Sequence, residues 1–309
     1  MHMESSDPPG GLTLAATLKG HTSRIAKPAW SRDGSHLASG SDDGTVRIWS
    51  SEGWNLVRIL TPSDGVPIGR VEWSPRGGEL AAGSADGTVR VWDTLSGELL
   101  SSLCSTKPDV RWSRSRLETD SRPLIRDVSW SGDGSVLAIA SDDYTVRTWH
   151  VRSNSVQTVY AGHDRVTSVA FSPAGTLLAA GTDDSIVAIL RGPTEAPVLL
   201  HGHRSYVLDL AWSHDGSWLA SASGDGTIRI WDPIAQETKS VLEGHHSLIG
   251  GVSISFDDRL LASKSIDDKV RLWRADRWEL VATLDEECYG GAWLWHDSIA
   301  FHPCEPVLV

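Results

Sequence analysis

Ser41-Asp42-Asp43-Gly44-Thr45-Val46-Arg47-Ile48-Trp49 decides the fold, because close relatives of this nonamer recur down the chain. Near-copies end at Trp92, Trp149, Leu190, Trp231 and Trp273, in steps of 43, 57, 41, 41 and 42 residues. A repeat of about forty-two residues means one supersecondary unit used many times. Working outward from the nonamer, each unit has the same order. A Gly-His pair opens it (Gly20-His21, Gly162-His163, Gly202-His203, Gly244-His245). An apolar strand follows, such as Val207-Leu208-Asp209-Leu210-Ala211-Trp212, then a turn such as Ser213-His214-Asp215-Gly216. A second strand leads to the Asp-Gly turn, the third strand ends at the Trp, and a fourth closes the unit. Asp-Gly between apolar runs is a strong hairpin signal, and a two-residue turn there would need positive φ at both central positions. Helical periodicity is absent. Four short antiparallel strands cannot bury both faces alone, so such sheets stack radially.

The Gly-His opening and the Asp-Gly-Thr-Val-Arg-Ile-Trp ending resemble the WD-repeat β-propeller family, over roughly Leu12 to Val309. The resemblance implies an all-β fold. The reading is a seven-bladed β-propeller of four-stranded antiparallel blades with the last blade incomplete. Residues 1–11 read as a leader, cloning remnant or linker, and 12–309 as a single propeller of six full repeats and a partial seventh. That partial copy opens at Ser298-Ile299-Ala300-Phe301-His302-Pro303 and lacks a third strand. In the family a leading fourth strand closes the last blade, which assigns that place to Leu12–Leu18. The blade is then expected to stay incomplete or to be completed by another chain.

Three repeats carry a Ser, a His and an Asp that invite a hydrolytic reading: His21, Ser39 and Asp43 with Trp49; His203, Ser221 and Asp225 with Trp231; His245, Ser263 and Asp267 with Trp273. The spacing is the same in each, with His, Ser and Asp preceding the Trp by 28, 10 and 6 residues. A catalytic triad does not come in three copies on one chain. In related propellers the set forms a hydrogen-bonded chain, which is the role the resemblance implies here. The second repeat has Ala82 in place of Ser, the third Ile139, and the fourth Ala180 together with Leu190 in place of Trp. Blades two to four are therefore expected to be the more deformable side of the ring.

The formal charge of −12 argues against nucleic acid or an anionic membrane as main partner. No apolar run is long enough to span a bilayer and no secretory leader is visible. Cys104, Cys288 and Cys304 lack metal-ligand spacing and fit a reducing, cytoplasmic setting. His201-Gly202-His203 and His245-His246 are the only metal-like tracts, and their key histidines already belong to the networks. No metal and no cofactor is expected, and no phosphate loop or dinucleotide fingerprint occurs.

The expected activity is therefore docking without chemistry: a non-catalytic protein- or peptide-binding scaffold, the sensor or regulatory module of a larger signalling protein. The long third step places an insertion on the face carrying the His loops, with Arg111, Arg114 and Arg116 around Trp112. Arg and Trp are favoured interface anchors. Arg24, Arg165, Tyr206 and Leu248, each just before a first strand, are assigned to the same face, with Asp42, Asp142 and Asp183 beside the hairpin turns. The alternative is a small-molecule-binding or enzymatic propeller that uses the channel residues Lys27, Arg70, Asp127 and Asp209.

Overall fold

The computed structural model describes residues 16–62, 65–104, 123–285, 299–305 and 307–309. Among them are six four-stranded antiparallel sheets, each a run of consecutive strands. Blade 1 holds β1–β4 (Ala29–Trp30, His36–Gly40, Val46–Ser50, Leu56–Leu60), and blade 2 holds β5–β8 (Ile68–Trp73, Glu79–Ser84, Thr88–Asp93, Leu99–Cys104). Blade 3 holds β9–β12 (Ile125–Trp130, Val136–Ser141, Thr145–His150, Ser155–Ala161), and blade 4 holds β13–β16 (Val166–Phe171, Leu178–Thr182, Val187–Leu190, Val198–Leu200). Blade 5 holds β17–β20 (Val207–Trp212, Leu219–Ser223, Ile228–Asp232, Glu237–Leu242), and blade 6 holds β21–β24 (Ile249–Ile254, Leu260–Ser265, Lys269–Arg274, Glu279–Asp285).

The second strand of each blade is almost wholly buried, whereas the fourth alternates toward solvent at the rim. Apolar residues on one sheet face meet the next blade. Ile228, Ile230 and Leu242 of blade 5 pack on Ile249, Val252 and Trp273 of blade 6, and the same pattern joins blades 1 and 2. Each such face removes bulky side chains from water at about 1.5–3 kcal/mol apiece, which is why the sheets stack rather than stand alone.

The expectation of seven blades is corrected to six. The last copy supplies residues for two strands only, and they pair on each other. Ala300 and Val309 exchange N–H···O bonds of 2.9 and 3.0 Å, and the His302 N–H reaches the Val307 carbonyl at 2.8 Å. A two-stranded ladder without third and fourth strands makes no blade. It fills the gap between blades 6 and 1 instead. The Phe301 N–H donates to Ser253 Oγ (2.9 Å), and His302 Nε2 donates to the Gly34 carbonyl (3.0 Å) with its ring edge-on to Trp30. Ile299, Phe301 and Leu308 pack on Ala262, Val270 and Leu272. Residues 1–11 and 12–15 lie outside the described residues, and 16–18 are in no strand.

The Asp-Gly turns also differ from expectation. Gly44, Gly87 and Gly226 have φ near +75°, but the Asp before each does not. The Gly44 N–H closes on the Ser41 carbonyl (3.1 Å), and the ladder resumes at Gly40 and Val46. Three residues, not two, turn the chain, so only the last needs the left-handed conformation.

Candidate docking face and channel

Each of the three complete repeats brings its four residues together. In blade 1, Trp49 Nε1 donates to Ser39 Oγ (3.0 Å), Ser39 Oγ meets His21 Nε2 (2.8 Å), and His21 Nδ1 meets Asp43 Oδ2 (2.8 Å). Blade 5 repeats this with Trp231, Ser221, His203 and Asp225 at 2.8, 2.7 and 3.0 Å. Blade 6 does so with Trp273, Ser263, His245 and Asp267 at 2.9, 2.8 and 3.0 Å. In blades 1 and 5 one proton assignment satisfies every group. The carboxylate accepts from Nδ1–H, Nε2 accepts the hydroxyl proton, and the hydroxyl oxygen accepts the indole N–H. Burial pushes Asp43 and Asp225 upward, yet the His, Thr and backbone hydrogen bonds outweigh it and hold both well below the usual carboxylate range. Asp267 is held at about 2 in the same balance, and burial lowers His245, keeping its ring neutral. Ser221 and Ser263 are fully buried. With the hydroxyl proton held by His and the oxygen capped by an indole, none of the three serines is presented to a substrate.

The incomplete repeats differ from one another. In blades 2 and 3, which lack the histidine, an arginine on the third strand holds the turn aspartate, as Arg271 does beside His245 in blade 6. Arg90 Nη2 reaches Asp86 at 2.8 Å, and Arg147 pairs with Asp143. Trp149 finds Asn154 Oδ1 at 3.1 Å. Blade 4 has Ala188 at the arginine position, Ala180 and Leu190 buried, and His163 exposed.

The face that carries these networks, the upper face, is knitted by a six-fold backbone contact. The carbonyls of Arg24, Pro67, Leu124, Arg165, Tyr206 and Leu248 accept the N–H of Asp42, Ala85, Asp142, Asp183, Gly224 and Ile266 (2.9–3.2 Å). Of the expected docking residues, Arg24 and Arg165 are exposed and Tyr206 lies partly exposed across Gly224. Leu248 is a correction: it is 9 % exposed, because it is drawn under the turn whose N–H it accepts, and it offers little side chain to a partner. Arg111, Trp112, Arg114 and Arg116 lie outside the described residues. Salt links run round the face: Arg24 Nε to Asp42 at 3.1 Å, Arg126 Nε to Asp142 at 2.7 Å, and Arg165 to Asp183 at 3.9 Å. Arg126 was missed by sequence reading. Its signal is a charge one position before the inward Asp127, where the other repeats have Ala26, Gly69, Thr167, Leu208 and Gly250.

Lys27, Arg70, Asp127 and Asp209 do not line an open channel. They meet across it. Arg70 of blade 2 reaches Asp209 of blade 5, on the opposite side of the ring, at 2.6 Å, and Asp127 of blade 3 at 3.1 Å. Lys27 Nζ donates to Asp209 (2.6 Å) and to the Val252 carbonyl (3.1 Å). Asp127 and Asp209 also accept the Val169 and Val252 N–H groups. Two cations balance two carboxylates. Burial pushes Asp127 up; it pushes Asp209 up too, but Asp209 has two cationic partners, Arg70 and Lys27, which outweigh burial and hold it down. The cluster is a septum between an upper cup of about 190 Å³, lined by Arg24, Arg70 and Arg126, and a lower one of about 380 Å³. The same register placed Glu72 on the lower side. Its burial and Asp127 keep it well above the ordinary carboxylate range, against a 2.6 Å hydrogen bond from the Trp130 N–H.

Among the described residues no cluster of three or more His, Cys, Asp or Glu has the arrangement of a metal site, and no helix is long and apolar enough to cross a membrane. The family model "WD domain, G-beta repeat" matches residues 12–50, 54–93, 113–150, 154–189, 196–232 and 236–274. The chain belongs to the WD-repeat family. Similar WD-repeat relatives include nucleoporin SEH1-A of Xenopus laevis (35% identical over 68 residues, 19% of this chain and 19% of the relative). The APC/C activator protein CDC20 of Saccharomyces cerevisiae is 25% identical over 150 residues (48% of this chain, 21% of the relative). The WD40 repeat-containing protein HOS15 of Arabidopsis thaliana is 29% identical over 142 residues (46% and 16%). This WD-repeat chain thus spans about a fifth or less of the curated relatives it matches.

Proposed function

We propose that this WD-repeat propeller is a non-catalytic docking platform that binds a protein or peptide on its upper face and acts as the sensor or regulatory module of a larger, cytoplasmic signalling protein. The observation that carries the reading is how the polar residues are used. Every Ser-His-Asp set is closed on a tryptophan, and the four charged channel residues neutralise one another. What the upper face presents outward is a ring of arginines, aspartates and Tyr206 on rigid turns, with backbone fixed by the six-fold contact. Arg and Tyr are residues that carry binding energy in interfaces. Membership of a family built for repeated presentation of loops supports the same reading, although fold alone does not fix function. Cys104 and Cys304 are free thiols, in keeping with a reducing compartment.

Affinity capture from cell extract tests the proposal. The intact chain is expected to retain a protein that Arg24→Ala, Tyr206→Ala and Trp112→Ala each lose or weaken. Capture that survives all three substitutions removes the upper face from consideration.

A further inference from the structure

The lower cup is walled by Trp30, Phe171, Trp212 and Phe301 and floored by Lys27 and Glu72. Its volume of about 380 Å³ falls in the range of small-ligand sites, and aromatic walls stand beside several polar groups. Three of its polar groups, Lys27, Glu72 and Ser253, can offer protons. Two of the three ammonium hydrogens of Lys27 are held by Asp209 and Val252, leaving one. Glu72 accepts the Trp130 N–H on one oxygen, and in its acid form carries an O–H. Ser253 Oγ already accepts the Phe301 N–H, so its hydrogen is left to give. Three donors at the end of an aromatic funnel match a group that only accepts, and the residual ammonium proton favours a negative one. A carboxylate on an apolar body fits both parts.

We infer that the lower mouth of the channel binds a carboxylate carried on an apolar or aromatic body, with Lys27 and Glu72 donating to the carboxylate and Trp30, Phe171, Trp212 and Phe301 holding the body. The group comes either from a free small acid or from the C-terminus of a peptide ending in an aromatic residue. The site lies on the face opposite the docking ring and does not depend on what binds there.

Calorimetric titration of the intact chain with 3-phenylpropionate, 3-phenylpropanamide and phenethylamine tests this, with Gly-Gly-Phe as free acid and as amide to separate the two sources. The two carboxylates are expected to bind, and the amide and amine forms to bind at least about tenfold more weakly, the value of one charge-assisted hydrogen bond. Stronger binding by the tripeptide acid than by phenylpropionate assigns the peptide source; the reverse assigns the small acid. Lys27→Met is expected to weaken carboxylate binding about tenfold or more, and Glu72→Gln, which keeps a donor, to change it less than about threefold. Glu72→Ala serves where Lys27→Met fails to fold, and is expected to weaken binding. Binding of the amine or the amides as tight as the acids overturns the inference. So does carboxylate binding unchanged in Lys27→Met and Glu72→Ala, or no binding by either acid.

Discussion

Blades 4 and 5 are neighbours of the same length and register, yet they are held together differently. At the inward position blade 5 has Asp209 and blade 4 has Ser168. On the second strand the pair is Ser221 and Ala180; on the third, Arg229 and Ala188, then Trp231 and Leu190. Blade 5 is polar inside, and most of its groups are paired: His203 bridges Ser221 and Asp225, and Asp209 receives Arg70, Lys27 and the Val252 N–H. Blade 4 has none of this and packs Ala180, Ala188 and Leu190 as plain apolar contacts. The same backbone therefore tolerates two interiors. One gains specificity from a chain of directional side-chain bonds whose partial loss is costly; the other keeps short hydroxyl ties of Thr167 and Thr182 to nearby carbonyls and Asp184.

The largest test of that contrast is at the inward position. Asp209→Ala leaves Arg70 with only Asp127 in the interior and takes from Lys27 the carboxylate it is hydrogen-bonded to. Removing one partner of a buried ion cluster costs about 3–5 kcal/mol. Ser168→Ala removes a buried hydroxyl for which the structure shows no partner, so its cost is expected to be at most about 0.5 kcal/mol, the scale of a neutral change. Urea unfolding of the two variants measures both. Equal losses would mean that the septum contributes nothing that simple burial does not.

The next effect is at the histidines. His203→Ala takes one hydrogen bond from the Ser221 hydroxyl and one from the Asp225 carboxylate and opens a small void, at a cost of about 2 kcal/mol. His163, exposed and outside any network, is expected to be replaceable by Ala within about 0.5 kcal/mol. A large loss at His163 would show that blade 4 has a polar tie after all.

The ring of repeats was legible in the sequence because the Asp-Gly turn, the Trp and the apolar strands each recur at fixed spacing, and periodic burial is what spacing reports. The networks of blades 1, 5 and 6 were legible for the same reason, since identical offsets in three copies fix identical geometry. The blade count was not. Ser298–Pro303 matches the start of a repeat, but a match does not reveal that Ala300–Val309 pairs on itself and wedges against Gly34 and Ser253. The septum was half legible. Lys27, Arg70, Asp127 and Asp209 were assigned inward by register, but the ring closure that carries Arg70 across to Asp209 depends on ring size, which no single repeat encodes. The Arg90–Asp86 and Arg147–Asp143 replacements escaped notice because an arginine also stands at that position in the complete blades. The expectation that blades 2 to 4 form one softer side stays a prediction, and of the three blade 4 alone has no arginine on its turn aspartate.

A smaller test reinstalls one link. Ala180→Ser places a hydroxyl where blade 5 has Ser221, but Leu190 supplies no indole N–H and His163 points to solvent. Burying a hydroxyl without a partner costs about 1 kcal/mol or somewhat more. Thermal unfolding is expected to show that loss. A gain instead would mean that His163 swings in to meet the new hydroxyl, and that the network is latent in blade 4.

The smallest effect distinguishes the two interiors by pH. The carboxyls of Asp225 and Asp267 lie below their ordinary value of 3.8, Asp267 at about 2. A carboxylate whose folded value is depressed stabilises the fold above its unfolded value, and that stability drains away as pH falls through the folded one. Solvent screening at these loop-borne turns limits the contribution to below about 1 kcal/mol per group. His245 adds a term of the same sign at higher pH. Its ring is held neutral below the usual 6.5, so the unfolded chain binds its proton first and stability starts to fall below pH 6.5. The exchange protection factors of the third strands β19 and β23, corrected for the intrinsic rate at each pH, should therefore fall first from pH 6.5 downward in blade 6, and again in both blades below pH 4. In blade 4, with no His–Asp pair on its turn, β15 should follow only the global loss of stability. Loss of β15 protection in step with β23 would mean that acid unfolds the ring as one cooperative body, and that the polar and apolar interiors do not give the two blades separate stabilities.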